Sequence, residues 1–193
     1  MSETNNFVLT VRSGGQTGAD RAALDAALHY NSTKNLSNGE KKYLIVNVTG
    51  WCPKGRLAED GTISPRYPLN ETPSSSYAER TEWNIRDGDA TLVLLLSATT
   101  PPDFGTGFTI EKANEFKKPS RIIFLDDDIM HNARQVINWM NVNQVNALNV
   151  AGPRESNCPG IYNKAYKFMI ALLDEINKSG KVSKVGGEPP LID

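Results

Sequence analysis

Short apolar runs alternate along this chain with stretches in which apolar residues return every three or four positions. Phe7 to Arg12 is a β-branched and apolar run that stops at Ser13-Gly14-Gly15, the pattern of a strand ended by a turn. In Ala19 to Tyr30, residues Ala22, Ala23, Ala26, Ala27 and Tyr30 recur at helical spacing, with Leu24 and Leu28 widening the stripe. The chain therefore opens as strand, glycine turn, helix. After a polar surface excursion from Asn31 to Lys42, Tyr43 to Val48 reads as the next strand. Gly50 to Ser76 contains Pro53, Pro65, Pro68 and Pro73 with Gly55 and Gly61, so no helix interior survives there, yet Trp51, Tyr67 and Leu69 are interspersed. A long ordered loop of this kind is more often functional than idle.

Ser76 to Asp87 is expected to be helical, ending at the Asp87-Gly88 stop signal. Ala90 to Leu96, almost wholly apolar, suits a central parallel strand covered on both faces. Thr109 to Phe116 then reads as helix, Arg121 to Leu125 as strand, Ala133 to Val142 as helix and Ala147 to Ala151 as strand. Pro159 to Lys178 closes as a helix whose apolar face is Ile161, Ala165, Phe168, Met169, Leu172 and Ile176. Strands alternating with helices imply a Rossmann-like, doubly wound α/β fold, with a mainly parallel five-stranded sheet and helices on both faces. One domain over residues 1–178 is expected, followed by a mobile tail over 179–193 with paired Gly and paired Pro.

Composition narrows the function. A chain of 193 residues with 39% hydrophobic content can bury one sizeable core, and its 21 Lys and Arg almost balance its 22 Asp and Glu. No basic excess is available to neutralise a nucleic-acid backbone, so nucleic acid is not an expected partner. Met1 to Phe7 is polar and lacks the flank and apolar stretch of a secretory signal, and the longest apolar run falls far short of the ~20 residues that span a bilayer. With Cys52 and Cys158 as the only cysteines, no disulfide framework is indicated and a reducing cytoplasm fits.

In such a sheet, ligands bind outside the carboxyl ends of the strands. Ser13-Gly14-Gly15-Gln16-Thr17-Gly18-Ala19-Asp20-Arg21 sets two glycines after a strand and a third at a helix start, which lets backbone amides approach a phosphate. Ser13, Gln16 and Thr17 add side-chain donors, and Arg21 sits one turn in. The string is neither a P-loop nor G-x-G-x-x-G, and a tight turn without a ligand explains the same spacing. Phe104-Gly105-Thr106-Gly107-Phe108-Thr109 is a second glycine loop between strand and helix, where Gly and Thr serve equally as turn and cap residues. The third loop, Ala151-Gly152-Pro153-Arg154-Glu155-Ser156, offers Arg154 either to a ligand or to a solvated pair with Glu155. His29 and His131 have no partners at metal-ligand spacing, Asp126-Asp127-Asp128 reads as a solvated turn, and Cys52 as a buried inert thiol, so no protein-bound metal is expected.

The strings SGGQTGADRAALDAAL, GWCPKGRLAEDG, YPLNETPSSSYAERTEWNIRDGDATLVL and LNVAGPRESNCPGIYNKAYKFM resemble the molybdenum carrier family, a circularly permuted YpsA-like branch of the SLOG superfamily. The resemblance runs from about Val11 to Leu173. It implies a Rossmann-like fold whose strand order is open to permutation, and a pocket for the molybdenum cofactor (molybdopterin) or a nucleotide-derived ligand. Carried over position by position, it adds Trp51, Pro53, Lys54 and Gly55, then Arg80 and Asn84, then Gly105, Thr106 and Thr109, to the first loop from Gly14 to Arg21. Phe104 departs from the family, which places a glycine there; it either stacks on a ring or fills a gap.

These readings favour a binding protein that carries, senses or sequesters a phosphorylated, nucleotide-like or molybdopterin-like small molecule. The alternative is a hydrolase of the N-glycosidic bond of a nucleoside monophosphate, with Glu82, Glu111 or Glu155 as catalytic carboxylate and Arg80 or Arg154 as phosphate clamp. A third reading is a structural interaction domain that docks through the segment around Trp51. A homo-oligomer, dimer or tetramer, is expected from the superfamily and from the last helix, whose Tyr162, Tyr166 and Phe168 cannot share one core stripe.

Overall fold

The computed structural model describes residues 7–33, 44–99 and 101–179. Its elements are β1 (Phe7–Arg12), α1 (Ala19–Ser32), β2 (Leu44–Thr49), the short strands β3 (Trp51–Cys52), β4 (Leu57–Ala58), β5 (Gly61–Thr62) and β6 (Asn70–Glu71), then α2 (Tyr77–Asp87), β7 (Ala90–Leu95), α3 (Phe104–Glu115), β8 (Ser120–Phe124), α4 (Ile129–Val142), β9 (Ala147–Ala151) and α5 (Ile161–Ser179). Five strands form one parallel sheet in the order β2-β1-β9-β7-β8. This is the Rossmann-like α/β architecture.

Alternate residues of each strand explain the layers. Leu9 and Val11, Leu44 and Val46, Leu92 and Leu94, and Leu148 and Val150 join one apolar cluster with α1, α4 and α5. The α1 stripe of Ala19, Ala22, Ala23, Ala26 and Ala27 is wholly buried, and these small side chains let the helix lie close to the sheet and to α5. Val93 and Leu95 point the other way and are buried as well, on the side where α2 and α3 pack. Covering on both faces is why β7 is apolar at nearly every position.

The last strand of the chain lies at the centre of the sheet, between β1 and β7. If the count started at β9, the same sheet would read 3-2-1-4-5, the order of a doubly wound nucleotide-binding sheet. The loop after β9 leads to α5 on one face and the loop after β7 leads to α3 on the other. The two diverge and leave a crevice at the carboxyl ends of the strands, a topological switch point.

Several expectations are corrected. The third helix begins at Phe104 rather than Thr109, because Asp103 accepts the Thr106 amide at 2.8 Å and caps it. The second glycine string is therefore the opening turn of a helix and not a loop. Helix α4 likewise begins at Ile129, where Asp128 accepts the His131 amide at 2.6 Å. The Pro-rich segment contains the β3–β6 pair and the β4–β5 hairpin, closed over a second cluster of Leu24, Cys52, Ile63, Tyr67 and Leu69. Tyr162 and Tyr166 stack at 6.2 Å and pack half-buried against the main cluster, and the Tyr162 hydroxyl donates to Asp25 of α1 at 2.8 Å. Phe168 is in the core, so the aromatic residues of α5 all pack, wholly or in part, within one chain. Tyr43 and the tail beyond Ser179 lie outside the described residues.

Candidate functional site

Two connected chambers open at the switch point. The inner one, about 70 Å³, lies between the ends of β9 and β7 and the first turns of α2 and α3, and its walls include Gln16, Asp20, Arg80, Thr106, Gly152 and Arg154. Tyr77, Thr81, Asp103, Gly105 and Arg154 line both chambers, and the outer one, about 380 Å³, continues to Phe104 and Phe108.

The inner chamber is built around a buried ion pair. Asp20, on the first turn of α1, accepts Arg80 Nη1 at 3.1 Å and the Gln16 amide at 3.3 Å. Burial pushes the Asp20 carboxyl up, against the pull of Arg80 and of the Gln16 amide. Three polar atoms around this pair are buried without a protein partner: Gln16 Nε2, Arg80 Nε and Thr106 Oγ1. The Gln16 orientation is fixed, since its Oε1 accepts the amides of Thr17 at 3.0 Å and Glu59 at 2.9 Å and leaves the NH₂ group free. Buried polar groups are almost always bonded, and each orphan costs about 1–3 kcal/mol. The residues that carry these atoms, from the first loop, α2 and α3, all line the inner chamber.

The glycines of the first loop answer to the protein itself. A Cβ on Gly15, at φ 75°, would lie 2.6 Å from Leu69 Cδ1, and one on Gly18 2.4 Å from the Pro153 carbonyl. A Cβ on Gly14 would strike the Arg80 guanidinium. The amides of Gln16, Thr17, Ala19 and Arg21 are already bonded within the protein. Ser13 donates its hydroxyl to the Val150 carbonyl at 2.7 Å, Arg21 pairs with Asp60, and Thr17 donates to Glu59. From this loop only Gln16 and Asp20 line the chamber.

Helix α3 is the opposite case. Gly105 has no protein atom nearer than 3.9 Å to a built Cβ and Gly107 has none within 4 Å, so no close packing requires either glycine. Each costs a helix about 0.5–1 kcal/mol relative to alanine. Gly105 instead forms a wall of both chambers.

The permuted strand order agrees with the comparisons. The model of the circularly permutated YpsA SLOG family matches residues 11–173. The chain belongs to that family. A crystal structure from Syntrophus aciditrophicus SB, of a "Putative molybdenum carrier protein", is 36% identical and superposes with a TM-score of 0.74, covering 87% of this chain and 96% of that one. No curated protein matches.

In this member of the permuted YpsA SLOG family, the residues expected at the site divide into two groups. Gln16, Arg80, Gly105, Thr106, Thr109 and Arg154 meet at the inner chamber. Trp51, Pro53, Lys54, Gly55 and Asn84 do not line it. Asn84 exchanges bonds with the Trp51 backbone, Oδ1 to N at 2.9 Å and Nδ2 to O at 2.8 Å, and the Trp51 indole donates to Asp87 at 2.7 Å, so these residues fasten β3 to α2. Gly55 gives its amide to Glu71 at 2.6 Å.

The three glutamates also lie off the chamber walls. Glu82 lies 3.4 Å from Lys112, Glu111 is exposed, and Glu155 accepts the amides of Gly160 and Tyr162 at the start of α5. Arg154 sits 3.9 Å from Glu59 rather than pairing with Glu155. Sequence reasoning missed Asp20, Tyr77, Thr81 and Asp103. The Asp103-to-Thr106 spacing of an N-cap ahead of a glycine-bearing turn was the available signal for Asp103; Asp20 and Tyr77 gave none before their neighbours were known. Among the described residues no group of three His, Cys, Asp or Glu could hold a metal ion, and no helix is long and apolar enough to cross a membrane.

Proposed function

We propose that this protein binds a phosphorylated small molecule, nucleotide-like or pterin-like, and carries, senses or sequesters it, with the anionic group in the inner chamber. The supporting observation is that Gln16, Arg80 and Thr106, each with a buried side-chain polar atom that has no protein partner, all line one 70 Å³ space. Charge alone does not favour an anion, since Arg80 and Arg154 are offset by Asp20 and Asp103. Selectivity rests instead on donors that the fold has already oriented, above all the Gln16 NH₂ group. The Syntrophus relative's name speaks of molybdenum, and the pterin of the molybdenum cofactor is the phosphorylated guest that we propose on that ground. The residues fit its phosphate and offer no thiolate to the metal, because Cys52 and Cys158 are buried and neither lines the chambers.

Calorimetry with ribose 5-phosphate and with free ribose tests the reading. The phosphate ester is expected to bind and the free sugar not to. Equal or absent heats for the two, together with a native mass equal to the bare chain after purification from its own cytosol, would remove it.

A further inference from the structure

Phe104 is 92% exposed and fills no gap in the fold. It opens α3 directly after the Asp103 cap and stands at the rim of the outer chamber, with Phe108 one turn further along the same helix. Tyr77, 38% exposed, in the first turn of α2, lines the same chamber. The Arg80 and Arg154 guanidinium carbons each lie 5.9 Å from the Tyr77 ring centroid, so the ring is held at the seam between the two chambers. Lone exposed apolar residues need no explanation, but three aromatic rings around one concavity, joined to a pit with unsatisfied donors, form a surface with a direction. The inner chamber has room for a compact polar group. The outer one, at about 380 Å³, falls within the ~300–1,000 Å³ of sites for small organic ligands.

The geometry points to the outer chamber as an aromatic clamp for a flat heteroaromatic ring, with Phe104 as the residue that selects ring-bearing phosphates over aliphatic ones. This rests on the proposal that the inner chamber holds the anion, and adds where the rest of the ligand lies and what it must be. Rings prefer offset-stacked or edge-to-face contact with other rings, and the chamber offers three of them to a flat guest. A purine base and a pterin share this chemistry. The clamp also has a cost the chain itself does not require, since replacing Phe104 by a small residue exposes no core.

The test is calorimetry of the full chain with guanosine 5′-monophosphate, 6-hydroxymethylpterin phosphate and ribose 5-phosphate, on the parent and on Phe104→Ala. One or both ring-bearing phosphates are expected to bind at least tenfold more tightly than ribose 5-phosphate, and the ratio between them identifies the ring. Phe104→Ala is expected to erase most of that preference and to leave ribose 5-phosphate affinity within twofold of the parent. Ribose 5-phosphate binding as tightly as both ring compounds would overturn the clamp and leave the anion site standing. An unchanged preference in Phe104→Ala would do the same, as would a dimer of the parent that Phe104→Ala dissolves without altering it. If none of the three binds, the anion reading falls and the clamp falls with it.

Discussion

Arg80 of α2 reaches across 60 positions of sequence to place its Nη1 3.1 Å from the Asp20 carboxylate of α1, with Asp20 buried and Arg80 nearly so, at 4% and 12% side-chain exposure. This pair joins the two layers of helices through the carboxyl edge of the sheet. Both residues also line the inner chamber. A buried pair of this kind adds little net stability, but losing one partner strands the other. Structure and binding are therefore tied to the same two residues.

Arg80→Ala is expected to weaken ribose 5-phosphate binding by on the order of 1.5–3 kcal/mol, the worth of a charge-assisted hydrogen bond. It should also lower stability at pH 7 by about 3 kcal/mol, because Asp20 is left buried and alone. Adding Asp20→Asn should restore part of the stability and none of the binding. Calorimetry and urea unfolding of the three proteins separate the effects; affinity unchanged in Arg80→Ala would place the ligand elsewhere.

Thr106→Val should move stability and binding in opposite directions. The Thr106 hydroxyl is buried with no partner, so an isosteric apolar side chain should raise the stability of the ligand-free protein by up to about 1 kcal/mol. The same change removes a donor from the chamber and should weaken phosphate-ester binding about tenfold, a loss of ~1.4 kcal/mol. A stability loss in the absence of ligand would mean that the hydroxyl already has a partner.

The glycines should divide by what they face. Gly15→Val should cost more than about 2 kcal/mol in urea unfolding, since φ 75° strains a β-branched residue and the side chain would drive into Leu69 and Ile63. Gly105→Ala and Gly107→Ala should each stabilise α3 by about 0.5–1 kcal/mol. Of these two, only Gly105→Ala should reduce binding, because Gly105 alone forms a chamber wall. Equal binding losses in both would detach the effect from the cavity.

Stability should also depend on pH through Glu59, a carboxylate that accepts the Ser156 amide at 3.2 Å and the hydroxyls of Thr17 and Ser156. Burial would raise its titration point, but these bonds and nearby Arg154 outweigh it and hold the carboxyl below its ordinary value. A depressed carboxylate stabilises fully above its unfolded value of about 4 and loses that contribution as pH falls through the folded value. Asp103 follows the same direction, and Asp20, raised by burial, opposes it. Glu59→Gln should therefore cost about 1 kcal/mol at pH 7, with the gap to the parent closing toward pH 3. A gap that stays constant across that range would show that the carboxylate charge is not what holds the two loops.

How much of this was readable in the chain varies by element. The period-two run Phe7–Arg12 and the short strand Ala147–Ala151 were legible to the residue, because each is a β-rich run bounded by turn signals. The almost wholly apolar β7 declared its double covering, and the three- and four-residue spacing in α1 and α5 declared their buried faces. Periodicity reports that a face is buried, but not against what. For that reason the central position of β9, which brings Gly152 and Arg154 beside α3 and creates the switch point, was decided only by the tertiary structure. Glycine carries the same limit: a missing Cβ says that something comes close, and only the packed chain shows that at Gly15 it is Leu69 and at Gly105 an open chamber. The Asp20–Arg80 pair is the extreme case, since two charged residues 60 positions apart give no local sign of each other until burial removes the water that would otherwise separate them.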